Sequence, residues 1–210
     1  MENLWAKLET QLEADAPELL DRLRPGISEP TLNAFEIEIG QPLPDDVRTA
    51  YLRHDGCKLT SHDEVGMFGR FNWLSVDQIR ETWLLSLENY DPSDPYFYED
   101  DQWCDLPIRP WCSAPPAWIP VAKGIGFAGF VYVDLLPGPT GRLGQLIGED
   151  IHGMSKWVVA TSLTEYITHL SSELECGRVH VFTNRDTQQQ NWRCTDGRPF
   201  VAPGFAKVFG

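Results

Sequence analysis

Trp118-Ile119-Pro120-Val121-Ala122-Lys123-Gly124-Ile125-Gly126, then Phe130-Val131-Tyr132-Val133-Asp134-Leu135, a Pro137-Gly138 turn, and Gly141-Arg142-Leu143-Gly144-Gln145-Leu146-Ile147 decide the fold of this chain. β-Branched and aromatic residues fill the runs, and glycine or proline separates each from the next, which predicts a strand, a glycine turn and a β-hairpin. The hairpin closes through Pro137-Gly138-Pro139-Thr140-Gly141, too rich in proline to be anything but a turn. Lys156-Trp157-Val158-Val159-Ala160 reads as one more strand. Gly124, Gly126 and Gly129, behind Lys123, match the GxGxxG spacing of dinucleotide sites. That fingerprint needs glycines that open a helix onto the pyrophosphate, whereas these run into strand residues, so they are read as a turn or bulge.

Upstream of this core the periodicity is helical. Leu4, Trp5, Leu8, Leu12, Leu19, Leu20 and Leu23 fit one or two amphipathic helices stopped by Arg24-Pro25-Gly26. Ser28-Glu29-Pro30 supplies a cap and an early proline for a helix carrying Leu32, Phe35 and Ile39 on one face. Leu43-Pro44-Asp45-Asp46 starts another, with aspartates at the positive end of its dipole and Val47, Tyr51 and Leu52 inward, until Asp55-Gly56. Met67 to Leu74 reads as a strand, and Ser75 with Gln78 forms a capping box for a helix through Ile79, Trp83, Leu84 and Leu87. Downstream, Ser162 and Glu165 form a second capping box, for a helix through Leu163, Tyr166, Ile167, Leu170 and Leu174 that stops at Gly177.

Composition narrows the function. The chain has 210 residues, enough for one core domain with appendages, and 17 Lys+Arg against 31 Asp+Glu give a formal charge of −14. Such a field repels nucleic acid and anionic membranes and attracts basic partners. No apolar run approaches the ~20 residues of a membrane span, and the first residues carry no basic, then apolar, leader pattern. The expectation is a cytoplasmic protein. Five cysteines, odd in number and without CxxC pairs, fit reduced thiols better than a disulfide framework or zinc site.

Two segments invite a functional reading. From Asp91 to Asp105, acidic residues alternate with Tyr96, Phe97, Tyr98 and Trp103, and no Lys or Arg occurs between Arg80 and Arg109. Clustered carboxylates with rigid aromatic area suit an Arg/Lys-rich protein partner; a solvated loop with its aromatics tucked inward is the plainer alternative. The candidate partner-binding residues are Asp94, Tyr96, Tyr98, Glu99, Asp100, Asp101 and Trp103. His54 and His62 lie near Asp55, Cys57, Asp63 and Glu64, but their spacing matches no metal-site pattern, and a solvated polar loop is expected there. No GxSxG elbow or cysteine-nucleophile signature is present. The expectation is a protein without catalytic residues, cofactor or metal.

Ile27, Phe35-Glu36, Ile39-Gly40, Leu43-Pro44-Asp45-Asp46, Tyr51-Leu52 and Asp55-Gly56, followed by Trp118-Ile119-Pro120-Val121-Ala122, Gly126, Asp134-Leu135, Pro137-Gly138, Gly144-Gln145-Leu146-Ile147 and Ala160-Thr161-Ser162, resemble the SUKH superfamily. This family includes fungal cell-wall-assembly regulators and bacterial immunity proteins. The resemblance covers about residues 25 to 175 and implies an α+β fold with a mostly antiparallel, twisted sheet flanked by helices. It divides the chain into an N-terminal helical segment at 1–24 packed on the core, a SUKH-like domain at 25–177 and a weakly basic extension at 178–210 that packs on the acidic body or stays mobile. It implies structural roles for Trp118, Pro120, Asp134, Gly144 and Gln145, and no enzymatic activity or cofactor. The leading functional expectation is an immunity protein that binds and neutralises a cognate, basic toxin, with a nuclease-type effector as the candidate class. A non-catalytic regulatory adaptor in cell-wall assembly is the alternative.

Overall fold

The computed structural model describes residues 1–58, 66–69, 71–88, 90, 107–109, 114–125, 128–151, 155–183 and 190–196. Helices α1 (Glu2–Asp15) and α2 (Pro17–Arg22) open the chain. Strand β1 (Leu23–Pro25) follows, where the sequence suggested only a helix stop. Helix α3 (Glu29–Ile39) begins at Ser28, whose hydroxyl accepts from the Thr31 amide, and ends at Gly40 in the left-handed region. Helix α4 (Asp45–Arg53) carries both predicted aspartates in its first turn and passes into β2 (His54–Cys57), which pairs antiparallel with β1.

The main sheet is antiparallel throughout, in sequence order: β3 (Phe71–Trp73), β4 (Trp118–Gly124), β5 (Gly129–Asp134), β6 (Gln145–Asp150) and β7 (Ser155–Ala160). Two glycines of the GxGxxG spacing therefore sit at the ends of antiparallel-paired strands, Gly124 closing β4 and Gly129 opening β5, while Gly126 lies outside the described residues. Helix α5 (Val76–Glu88) lies between β3 and β4, and α6 (Leu163–Glu175) follows β7. The Ser75 and Gln78 box forms as predicted, each side chain meeting the other's amide. At α6 the Glu165 amide donates to Ser162, but the Glu165 carboxylate reaches back one residue further, to the amide and hydroxyl of Thr161. A last hairpin pairs β8 (Val179–Thr183) with β9 (Gln190–Cys194). It is docked on the body: Val179 and Trp192 are buried in the main core, and the Trp192 indole donates to the Gly66 carbonyl at 2.9 Å.

Strand alternation divides the sheet's side chains between two cores. Ile119, Val131, Val133, Leu146, Trp157 and Val159 face the helices and join the main core. Trp5 is buried there as well, stacked on Trp73 at 5.5 Å, and Leu8 and Leu12 of α1 are fully buried. At ~1.5–3 kcal/mol for each buried leucine, the first helix is part of the fold's stability. Glu9 secures it further: Arg53 donates to both carboxylate oxygens, at 2.5 and 2.7 Å, and the His54 ring lies 2.7 Å from one of them. The arginine holds the Glu9 carboxyl below the ordinary range. His54 is thus engaged in β2 and half-buried, and the solvated loop expected around it is corrected to that extent.

Candidate functional site

The second core lies on the sheet face turned away from the helices. Registered pairs place Trp118 beside Asp134 and Gln145; Pro120 beside Tyr132, Ile147 and Val158; and Phe130 beside Glu149 and Lys156. Trp118, Tyr132, Ile147 and Ile108 are buried together, with Ala114, Phe130 and Val158 packed around them. The Tyr132 ring lies 5.7 Å from Trp118 and 5.7 Å from Phe130. Sequence reasoning read Trp118 and Pro120 as structural, and here they line this face.

Two polar assemblies are buried in it. In the first, Tyr132 donates to Glu149 at 2.7 Å, Lys156 approaches the other Glu149 oxygen at 2.9 Å, and the ammonium lies 6.0 Å from the Trp118 ring centroid. Burial, and then the Glu149 charge, push the Tyr132 phenol well above its ordinary pKa, so it stays a donor. The sequence offered no sign of this cluster, because charged residues alternating along a strand read as its solvent side. The second holds Asp134, which is fully buried. One carboxylate oxygen accepts from the Leu136 amide at 2.9 Å and the other from Gln145 Nε2 at 2.8 Å. Burial raises the Asp134 pKa, while those two donors oppose the shift.

This second assembly is a latch for residues 107–109. Gln145 Nε2 also donates to the Pro107 carbonyl at 3.0 Å, which accepts from the Gly138 amide at 2.8 Å as well. Arg109 Nε reaches the Pro137 carbonyl at 3.1 Å, and Ile108 inserts among Trp118, Tyr132 and Ile147. Gly144 shapes the turn. Its φ is +82°, its amide donates to the Asp134 carbonyl at 2.8 Å, and a Cβ there would stand 2.6 Å from Pro44 Cγ. Asp134, Gly144 and Gln145 thus act as one unit that fixes where the chain rejoins the sheet after the acidic aromatic segment. The candidate residues Asp94, Tyr96, Tyr98, Glu99, Asp100, Asp101 and Trp103 themselves lie outside the described residues, as does His62.

Each buried carboxylate and ammonium among the described residues is engaged within the fold: Asp134 by Gln145 and Leu136, Glu149 and Lys156 by each other, and Asp55 by the Val76 amide at 2.8 Å and Arg24 at 3.7 Å. Among the described residues no group of three or more His, Cys, Asp or Glu is placed to hold a metal ion. No described helix is long and apolar enough to cross a membrane.

Comparison with known proteins identifies a family over most of the chain. A family model described as SMI1 / KNR4 family (SUKH-1) matches residues 26–169. The chain is 30% identical over 223 residues to "KNR4/SMI1 homolog 2" of Debaryomyces hansenii, covering 88% of this chain and 37% of that protein. It is 27% identical over 222 residues to the "Glucan synthesis regulatory protein" of Neurospora crassa, covering 90% and 41%. It is 28% identical over 184 residues to the "Cell wall biosynthesis/cell cycle regulator smi1" of Schizosaccharomyces pombe, covering 83% and 36%. The chain therefore spans roughly two fifths or less of the length of these curated relatives, which are named as regulators or homologues of them.

Proposed function

Because this chain belongs to the SMI1/KNR4 (SUKH-1) family, we propose that it is a cytoplasmic regulatory adaptor in cell-wall synthesis, acting by holding a protein partner and without catalysis of its own. The observation that carries this reading is the engagement of every buried carboxylate and ammonium, among the described residues, by a partner inside the fold. General acid–base or nucleophilic catalysis needs such a group left poised at a cleft. Neutralisation of a toxin, the first expectation from sequence, draws less support, since the relatives' names speak of glucan synthesis and cell-wall regulation.

The partner on this reading is a basic protein. The net charge of −14 favours its approach, and Asp94, Tyr96, Tyr98, Glu99, Asp100, Asp101 and Trp103 are the contacts assigned to it. The Asp134–Gln145 latch supports that assignment, because it ties Pro107, which follows the acidic segment in the chain, to the sheet.

The test has two arms. Expression of the chain in Schizosaccharomyces pombe lacking its smi1 regulator should restore resistance to cell-wall digestion. A partner recovered by affinity capture at low salt should bind the Glu99→Ala/Asp100→Ala/Asp101→Ala variant more slowly, with a flatter salt dependence. Failure to rescue, combined with a partner whose kinetics ignore both salt and the triple variant, would sink the proposal.

A further inference from the structure

The β8–β9 hairpin presents a chemistry opposite to that of the rest of this acidic chain. Its register sets His180 against Arg193 and Val181 against Trp192. Val179 and Trp192 are buried in the core, whereas His180 is exposed and Phe182 and Arg193, on the same side as His180, are half-buried. The Arg193 guanidinium lies over the Phe182 ring, 4.0 Å from its centroid. Stacking of this kind holds a long side chain flat, which lowers the entropic cost of using it, and leaves the in-plane N–H donors uncovered by the ring.

Arg193 makes no ion pair among the described residues, in a chain where carboxylates outnumber cations 31 to 17. By contrast Arg24, Arg48, Arg53, Arg80 and Arg178 each hold a carboxylate. We propose that the outward face of this hairpin docks a carboxylate-rich peptide segment of a partner protein, with Arg193 as a bidentate clamp, Phe182 as its platform and His180 as a neighbouring donor. The acidic body does not forbid this. Screening limits its repulsion to about 8 Å at physiological ionic strength, and the carboxylates at the adjoining end of α6, Glu173 and Glu175, are covered by Arg178 and Lys7. A planar guanidinium takes a carboxylate through two parallel hydrogen bonds, which a lysine in the same place does not reproduce.

The experiment is fluorescence anisotropy on the full chain, with a fluorescein-labelled peptide of alternating glutamate and aspartate as probe and a polylysine peptide of the same length as control. The acidic peptide should bind, and more weakly as salt rises. Arg193→Gln should weaken it on the order of tenfold or more, the loss expected for one charge-assisted bidentate contact. Arg193→Lys and Phe182→Leu should each give an intermediate loss, since one keeps the charge and the other keeps the arginine. Thermal melts by circular dichroism confirm that each variant is folded; should Arg193→Gln melt early, Phe182→Leu and His180→Gln carry the test. Absence of acidic-peptide binding, binding indifferent to these substitutions, or full binding by Arg193→Lys overturns the proposal.

Discussion

Replacing Lys156 by Met should destabilise the protein far more than an exposed lysine would, and the structure sets the size. The ammonium lies 2.9 Å from a Glu149 oxygen, an attraction of about 6 kcal/mol at an effective dielectric of ~20. Removing two ions from water costs several kcal/mol for each, so the intact pair contributes little net stability. Removing one partner is another matter, because the surviving charge stays buried; such losses run to about 3–5 kcal/mol. Glu149 keeps the Tyr132 hydroxyl at 2.7 Å, which places Lys156→Met near the lower end, about 3 kcal/mol. For a chain of this size that corresponds to a melting temperature lower by about 6–12 °C.

A triple variant should recover much of that loss. Lys156→Met, Glu149→Leu and Tyr132→Phe together leave neither an unpaired charge nor a stranded hydroxyl on this face. The triple variant should be more stable than Lys156→Met alone by about 2 kcal/mol or more. Urea denaturation at neutral pH, followed by circular dichroism and tryptophan fluorescence, measures both. A loss under about 1 kcal/mol for Lys156→Met, or a triple variant no more stable than the single one, refutes the account of this cluster.

Asp134→Asn should cost about 1–3 kcal/mol in urea melts, because Leu136 and Gln145 donate to different carboxylate oxygens and an amide offers only one acceptor; a stabilised variant would mean that relief of buried charge outweighs the lost acceptor. Gly144→Ala should lower stability by about 2–3 kcal/mol, combining a left-handed backbone with a methyl group 2.6 Å from Pro44 Cγ, and a melting temperature equal to wild type would contradict it. Glu9, with its pKa below the ordinary 4.5 in the folded state, contributes stability that is present above that value and lost as pH falls through the lower folded value. The gap in melting temperature between wild type and Glu9→Gln should therefore be present at neutral pH and close in acid below 4.5; a constant gap from neutral to acid pH would remove this role for Glu9.

The strands and helices most legible in the sequence were those written by local rules. Caps at Ser28 and Ser75, the aspartates opening α4 and the β-branched runs of β4 to β7 each announce themselves within a few residues. What escaped depends on distant partners. β1 and β2 are three and four residues long and carry no period of their own; they exist because Leu23 meets Cys57 across the intervening helices. The β8–β9 hairpin fell in a stretch read by its charge alone, and its anchor is Trp192 reaching Gly66. Asp134, Gly144 and Gln145 could be named as structural from the resemblance, but their shared task could not, since the Pro107 carbonyl that completes the latch is supplied from outside the strands.

That latch separates two properties that core substitutions confuse. Gln145 Nε2 bridges Asp134 and the Pro107 carbonyl, and Gln145 Oε1 accepts from the Arg142 amide at 3.1 Å, so one side chain ties the β5–β6 turn to the chain rejoining the sheet. The sheet's other face has its own hydrophobic core, in which Val131, Val133 and Leu146 are fully or nearly fully buried without contact to the Ile108 cluster. The inner face thus supplies the bulk of the stability, while the outer face spends buried polar groups on position. On the proposed adaptor reading that division is useful, because a recognition segment loses less entropy on binding when the chain next to it is already fixed. Pro107, held by the main sheet, and the stacked Arg193, on the β8–β9 sheet, belong to different sheets, so on the proposals above partners of opposite charge would engage different elements of the fold.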